Sequence, residues 1–314
     1  MPTAAQAVEL IQRFNVSVYA MLSSALLDFV EHLEHRDLGS VAALALRRVV
    51  GSGDSVPLQL QSRFLEMFGW PVLEGCGITE IGGYYAAQPL DPLDREGKAG
   101  AMGRPTKGTQ VRLVEDGKDV PVGSIGEVLL KTPSLPLGYW EDPEATKELF
   151  QDGWLRTGDL ARFDLDGFLW FVARRKLIIV RRGSNLAPAA VERWLLEHPK
   201  VKAVVVVGVP DSAEGEVPVA WVLPGDEAPT AMELEEHATK GLASYEQPVS
   251  RLTLLVSVKQ NRWDYSSKDV GCKLGEGYWF RNTMPLNSVG KFDRAKLKDE
   301  AKALMANLAA TAGA

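Results

Sequence analysis

The stretch "GWLRTGDLARFDLDGFLWFVARRK", residues 153–176, decides how the rest of the chain is read. "LARFDL" and "GFLWFVA" have the texture of short strands, and the turn between them is rich in Asp and Gly. The first of them is entered through "TGD", a tight turn that ends in a lone carboxylate, Asp159. Arg174 and Lys176 close the second. A single carboxylate in such a turn suits bidentate hydrogen bonding to vicinal ribose hydroxyls, and a neighbouring arginine would balance charge on ribose or phosphate. Taken alone, Asp159 reads equally as an Asx residue capping its own turn.

On either side the texture changes. From 98 to 176 further short strands, "QVRLVE" (110–115) and "GEVLLKT" (126–132), are divided by Gly, Pro and Asp turns, which predicts a small β-barrel or meander. Over 1–97 helical and strand spacings alternate: a helix at 4–13, strands near 15–20, 46–54 and 71–77, and helices at 21–35 and 55–69, the last ended by Gly69. That alternation predicts a βα-layered subdomain. From 177 to 314, "KLIIVRRG", "VKAVVVVGVP" and "PVAWVLPG" are strands, with a helix opening at Pro188 and another over 230–243. The expected fold class is therefore multi-domain α/β, a partial βα layer and a β-rich part followed by an α+β domain hinged near Lys176. Segment 257–282 is polar and without period, and reads as an inserted loop.

Composition narrows the function classes. The chain has 314 residues, 46% of them apolar, and a net charge of −6 with both signs interspersed. That balance argues against a nucleic-acid binder. The two cysteines, Cys76 and Cys272, form neither a metal-ligand spacing nor a disulfide framework. No apolar run approaches the ~20 residues of a membrane span, and "MPTAAQAVEL" has no signal-peptide core. A cytoplasmic location is expected.

Two further motifs carry chemistry. "EGCGITE" (74–80) is a glycine-bracketed turn. Its backbone N–H groups could approach an anion, Thr79 could donate to a phosphate oxygen, and Glu80 could hold Mg²⁺ together with substrate phosphates. It also reads as a plain strand-to-loop turn with a surface Glu. "PLNSVGKFDR" (285–294) places Lys291 after a glycine, either as a point charge for a developing phosphate or carboxylate charge or as a solvated loop lysine.

Taken in order, "EGCGITE", "GRPTKGTQVRLV", "GEVLLKTPSLPLGYWEDPEATKELFQDGWLRTGDLARFD", "GSNLAPAAVE", "HPKVKAVVVVGVPD" and "PLNSVGKFDR" resemble the adenylate-forming superfamily. That group includes acyl-CoA synthetases, aryl-CoA ligases, luciferases and peptide-synthetase adenylation domains. The resemblance implies an ATP-dependent carboxylic acid–CoA ligase, for a fatty or aryl acid, with ATP, Mg²⁺ and coenzyme A. It implies that Asp159 binds the ribose hydroxyls beside Arg174, that Thr79 touches the α-phosphate and that Glu80 holds Mg²⁺. Lys291 would act in adenylation, Lys176 would be the hinge, and Gly53, Gly75, Cys76 and Gly77 would line the nucleotide. Cys76 stands where the family usually stacks an aromatic on adenine. In "VRRGSN", Arg182 stands where a glycine is usual, and would either obstruct the pantetheine path or, with Arg181, meet a phosphate of coenzyme A. The family's Ser/Thr/Gly-rich phosphate loop has no counterpart in 1–314. The resemblance thus implies a truncated or split ligase, weak unless completed by the missing N-terminal part, which in the split case a second chain would supply. The alternative is a nucleotide-binding or regulatory remnant without catalysis.

Overall fold

A computed structural model describes residues 2–34, 44–53, 56–211, 213–244, 246–248, 278–281, 283–288 and 290–312. It divides into two compact units, Met1–Arg175 and Lys176–Ala314.

The first unit opens with α1 (Ala4–Phe14), started by a reciprocal cap between Thr3 and Gln6 and ended by Asn15 in the left-handed region. Strands β1 (Val18–Leu22), β2 (Arg48–Ser52) and β3 (Leu73–Ile78) run parallel, as crossover connections require. Helices α2 (Ser23–Glu34) and α3 (Leu58–Phe68) lie between them in sequence, and Gly69 ends α3 at φ 71°. Val8, Ile11, Leu26, Phe29, Val49 and Phe64 form the core of this layer. Each such side chain contributes about 1.5–3 kcal/mol on burial. Beyond β3 the sheet turns antiparallel through β4 (Gly83–Ala87) and β5 (Arg104–Pro105), and β1 is the end strand on the other side.

A second, antiparallel sheet follows. It contains β6 (Gln110–Glu115), β7 (Lys118–Asp119), β8 (Gly126–Lys131), β9 (Phe150–Gln151), β10 (Trp154–Phe163) and β11 (Leu169–Arg174). Its order is β11-β10-β8-β6-β7, with β9 on β10, and the short α4 (Pro143–Leu149) precedes β9. Of barrel and meander, the structure has the open sheet. Tyr85 and Ala86 of β4 share one core with Leu113, Val128, Leu130, Leu155 and Ala161, which packs the second sheet against the first.

The second unit is built on a long hairpin, β14 (Val201–Asp211) and β15 (Gly215–Pro224). Short strands β12 (Ile179–Arg181) and β13 (Ser184–Leu186) precede it, followed by α5 (Pro188–Leu195). The valine run of β14 has no polar alternation because both faces are covered. Val204 and Val206 face one core, with α5 and α6 (Ala231–Thr239), while Val205, Val207 and Val209 face another, with Leu297 and Ala301 of α7 (Arg294–Ala312). Strand β16 (Tyr278–Phe280) pairs parallel to β15. These three residues were expected in the inserted loop. Instead Tyr278 and Phe280 fill one core and Trp279 the other, its ring edge-on to Trp221 at 4.8 Å. Aromatic neighbours in a polar sequence hid a strand too short to show a period. Residues 257–277 lie outside the described residues.

Candidate functional site

Asp159 is placed by a bulge. In β10 the register slips between Arg156 and Leu160 against β8, and between Leu160 and Ala161 against β11. Gly158 has φ 70°, which a residue with a Cβ adopts only at a cost. The Thr157 hydroxyl bridges the irregularity, donating to the Val128 carbonyl at 3.0 Å and accepting from the Asp159 N–H at 3.0 Å. The outcome is a carboxylate 1% exposed, directly across the ladder from Arg174.

A buried charge is tolerated only when paired. The Arg174 Nε lies 2.8 Å from Asp159 Oδ1, and the Arg174 Nη1 donates to the Thr157 carbonyl at 3.2 Å. On the other side the Tyr85 hydroxyl donates to Asp159 Oδ2 at 3.2 Å, and the Cys76 thiol donates to the Tyr85 oxygen at 3.0 Å. Burial pushes the Tyr85 phenol well above its usual range, and the neighbouring Cys76 and Asp159 add to that. The phenol therefore keeps its proton. Cys76 is thus joined to the Asp159–Arg174 pair through Tyr85, a residue the sequence reading did not single out. "GGYYAA" offers two adjacent tyrosines, and only the pairing of β4 with β3 tells which one points inward.

The glycines of "EGCGITE" have a further reason. A Cβ on Gly77 would stand 2.3 Å from the Gly83 carbonyl oxygen, and one on Gly75 would stand 2.8 Å from the Tyr84 ring. Close approach of β4 demands them. The segment is a strand until Ile78, followed by a 3₁₀ turn over Thr79–Ile81. Thr79 is exposed at its start, and Glu80 accepts from the Tyr139 hydroxyl at 2.8 Å. That bond raises the Tyr139 phenol above its usual value. Gly53 ends the β2 strand at φ 89°.

Two other buried carboxylates flank these elements. Glu74 accepts from the Val56 N–H at 2.9 Å and from Gln61 Nε2 at 3.0 Å, and burial pushes it up to about 7. Glu127 takes Arg156 through both oxygens, at 3.1 and 2.8 Å, and Arg175 at 2.6 Å. In the second unit, Lys176 is exposed at its first position. Lys291 closes a turn in which its N–H donates to Asn287 Oδ1 at 3.0 Å and its carbonyl accepts from the Asn287 N–H at 2.8 Å. Arg182 has φ 49° and pairs with Glu214 at 2.7 Å, and Arg181 shares the same carboxylate.

Among the described residues no group of three or more His, Cys, Asp or Glu is placed to hold a metal ion. Glu80 alone fits a Mg²⁺ that arrives with phosphates, since that ion takes one or two carboxylates and fills its shell with phosphate and water oxygens. No described helix is long and apolar enough to cross a membrane.

Comparison with known proteins places the chain among relatives. Residues 1–140 match the AMP-binding enzyme family and residues 190–261 match the AMP-binding enzyme C-terminal domain. A long-chain-fatty-acid–CoA ligase of Escherichia coli O6:H1 is 32% identical over 278 residues, covering 88% of this chain and 44% of that protein. A 2-succinylbenzoate–CoA ligase of Bacillus cereus is 34% identical over 238 residues, covering 76% of this chain and 48% of that one. The amide bond synthetase McbA of Marinactinospora thermotolerans superposes with a TM-score of 0.76 at 30% identity, covering 94% of this chain and 55% of that chain. The chain spans about half the length of the relatives it matches. With both domain types matched in order and relatives 32–34% identical over most of its length, the chain belongs to the adenylate-forming, AMP-binding enzyme superfamily.

Proposed function

We propose that the chain forms part of an ATP-dependent carboxylic acid–CoA ligase acting on a fatty or aryl acid. The observation that carries this reading is the Asp159 carboxylate, set at a bulge and backed by Arg174. In the reaction the acid's carboxylate attacks the α-phosphorus of ATP and pyrophosphate leaves. The thiol of coenzyme A then attacks the acyl carbonyl of the adenylate and AMP leaves. Asp159 holds the ribose hydroxyls in both steps, and Thr79 donates to the α-phosphate. Glu80 would hold Mg²⁺, which would supply charge neutralisation at the phosphates. Lys291 supplies an ammonium to the charge that develops during adenylation, and Lys176 is the pivot between the two steps. Ligase relatives of fatty and aryl acids support the substrate class.

The test is acid-dependent exchange of pyrophosphate into ATP over a panel of fatty and aryl acids. Exchange that rises with one acid class, and falls about 10²–10³-fold in Lys291→Ala, is the expected result. ATP binding without exchange for any acid would favour a nucleotide-binding role without catalysis, and no ATP binding would remove the reading.

A further inference from the structure

Two partners of the Asp159 carboxylate differ in kind. Arg174 reaches it from the surface, with its side chain 43% exposed on a long flexible stem. Tyr85 reaches it from the core, where it has no exposure. A carboxylate rotates easily about its last bond, because that torsion is broad and two-fold. A surface guanidinium on one oxygen restrains this rotation weakly. A phenol locked in the core on the other oxygen restrains it firmly. The thiol of Cys76 donates to the phenol oxygen and so directs the phenol's own proton away from itself. Two acceptors lie within reach of that proton, Asp159 Oδ2 at 3.2 Å and the Met102 Sδ at 3.8 Å, and a carboxylate is much the stronger.

We propose that Tyr85 is the positioning residue of the ribose site: it keeps the Asp159 carboxylate in one orientation while Arg174 gives way to sugar hydroxyls. This rests on the reading of Asp159 as a ribose holder. Tyr85 touches no substrate. It acts by presenting both carboxylate oxygens to a vicinal diol at once, so removing its hydroxyl loosens ribose recognition and leaves the triphosphate contacts as they were.

The test compares the affinities of ATP, 2′-deoxyATP and 3′-deoxyATP for the full chain by titration calorimetry. In the wild type each deoxy analogue is expected to bind about tenfold or more weakly than ATP, the loss of one charge-assisted hydrogen bond. In Tyr85→Phe that ratio is expected to shrink to about threefold or less, and 4-aminophenylalanine at position 85, which restores an N–H donor, should recover it. A merely structural role would lower the melting temperature and weaken all three nucleotides alike, leaving the ratio unchanged, and that result overturns the proposal. If the phenylalanine variant does not melt cooperatively, Cys76→Ala replaces it. Without the thiol the phenol proton is no longer directed at Asp159, so the ratio falls by about twofold. An unchanged ratio there overturns the proposal too. A wild type that binds ATP but does not distinguish the deoxy analogues refutes the ribose reading of Asp159 itself, and with it this inference. Discrimination kept in the wild type and in Tyr85→Phe refutes Tyr85 alone.

Discussion

Glu74 and Asp159 are both buried carboxylates of the first unit, 7% and 1% exposed, and they are held in different ways. Glu74 meets neutral donors: the Val56 N–H, the Gln61 amide and the Gly100 backbone. Those hydrogen bonds favour the ionised form, yet burial outweighs them and raises the group to about 7. Asp159 meets a guanidinium and a phenol. The first arrangement staples the β3 strand to the segment before α3 and points at nothing. The second stores a charge at a bulge beside an exposed arginine. Burial of a carboxylate therefore does not mark a site by itself. What sets Asp159 apart from Glu74 is a charged and exposed partner, Arg174.

The largest expected effect tests the functional half of this contrast. Asp159→Ala should weaken ATP by about 10³-fold, close to 4 kcal/mol, since two charge-assisted hydrogen bonds at about 1.5–3 kcal/mol each are lost. Glu74→Gln should leave ATP affinity within about threefold. Calorimetric titration of both variants would break the contrast if their losses were similar.

The next effect lies in pH. Glu74 has a folded value of about 7 against an ordinary 4.5. Between these values the folded chain holds a proton that the unfolded chain has released. Its contribution is present in full below about 4.5, is lost as pH rises toward 7, and amounts to on the order of 3 kcal/mol. Urea midpoints of the wild type should fall over this window, and those of Glu74→Gln should fall less. Parallel curves would show that the staple is ionised throughout.

The smallest effect concerns the bulge. Gly158→Ala meets no atom within 4 Å, so only its φ of 70° opposes the change. A loss of stability of about 1–2 kcal/mol is expected, with a weaker ATP affinity because the ladder shifts under Asp159. A stability loss with unchanged affinity would mean that the bulge does not aim the carboxylate.

Much of this molecule was legible in its residues. Arg48–Ser52 and Leu73–Ile78 lie within the stretches expected as strands, and Val18–Leu22 overlaps the stretch expected at 15–20 but runs two residues into the expected helix. Gly69 ends its helix as expected, because only the left-handed region stops a helix there. Asp159 and Arg174 were expected side by side from the family resemblance, and the β10–β11 hairpin pairs them directly. Tyr85 was not legible, because its role depends on a contact with a residue 74 positions away. The steric need for Gly77 was not legible for a similar reason, since its neighbour is the carbonyl of a facing strand. Tyr278–Phe280 escaped because three residues carry no period.

The covering of β14 on both faces has a consequence in time. One cover, α7, begins at Arg294, which follows the end of β15 at Pro224 by 70 residues (294 − 224). At ~5–20 residues per second of synthesis, the hairpin's second face waits about 4–14 s for its lid. During that interval a row of valines, Val205, Val207 and Val209, lacks α7, and until residue 279 is made it lacks Trp279 as well. Nascent chains arrested between 225 and 293 should therefore stay open to protease within 201–224 and recruit hydrophobic-segment chaperones. Chains arrested after α7 has cleared the ribosome should resist both.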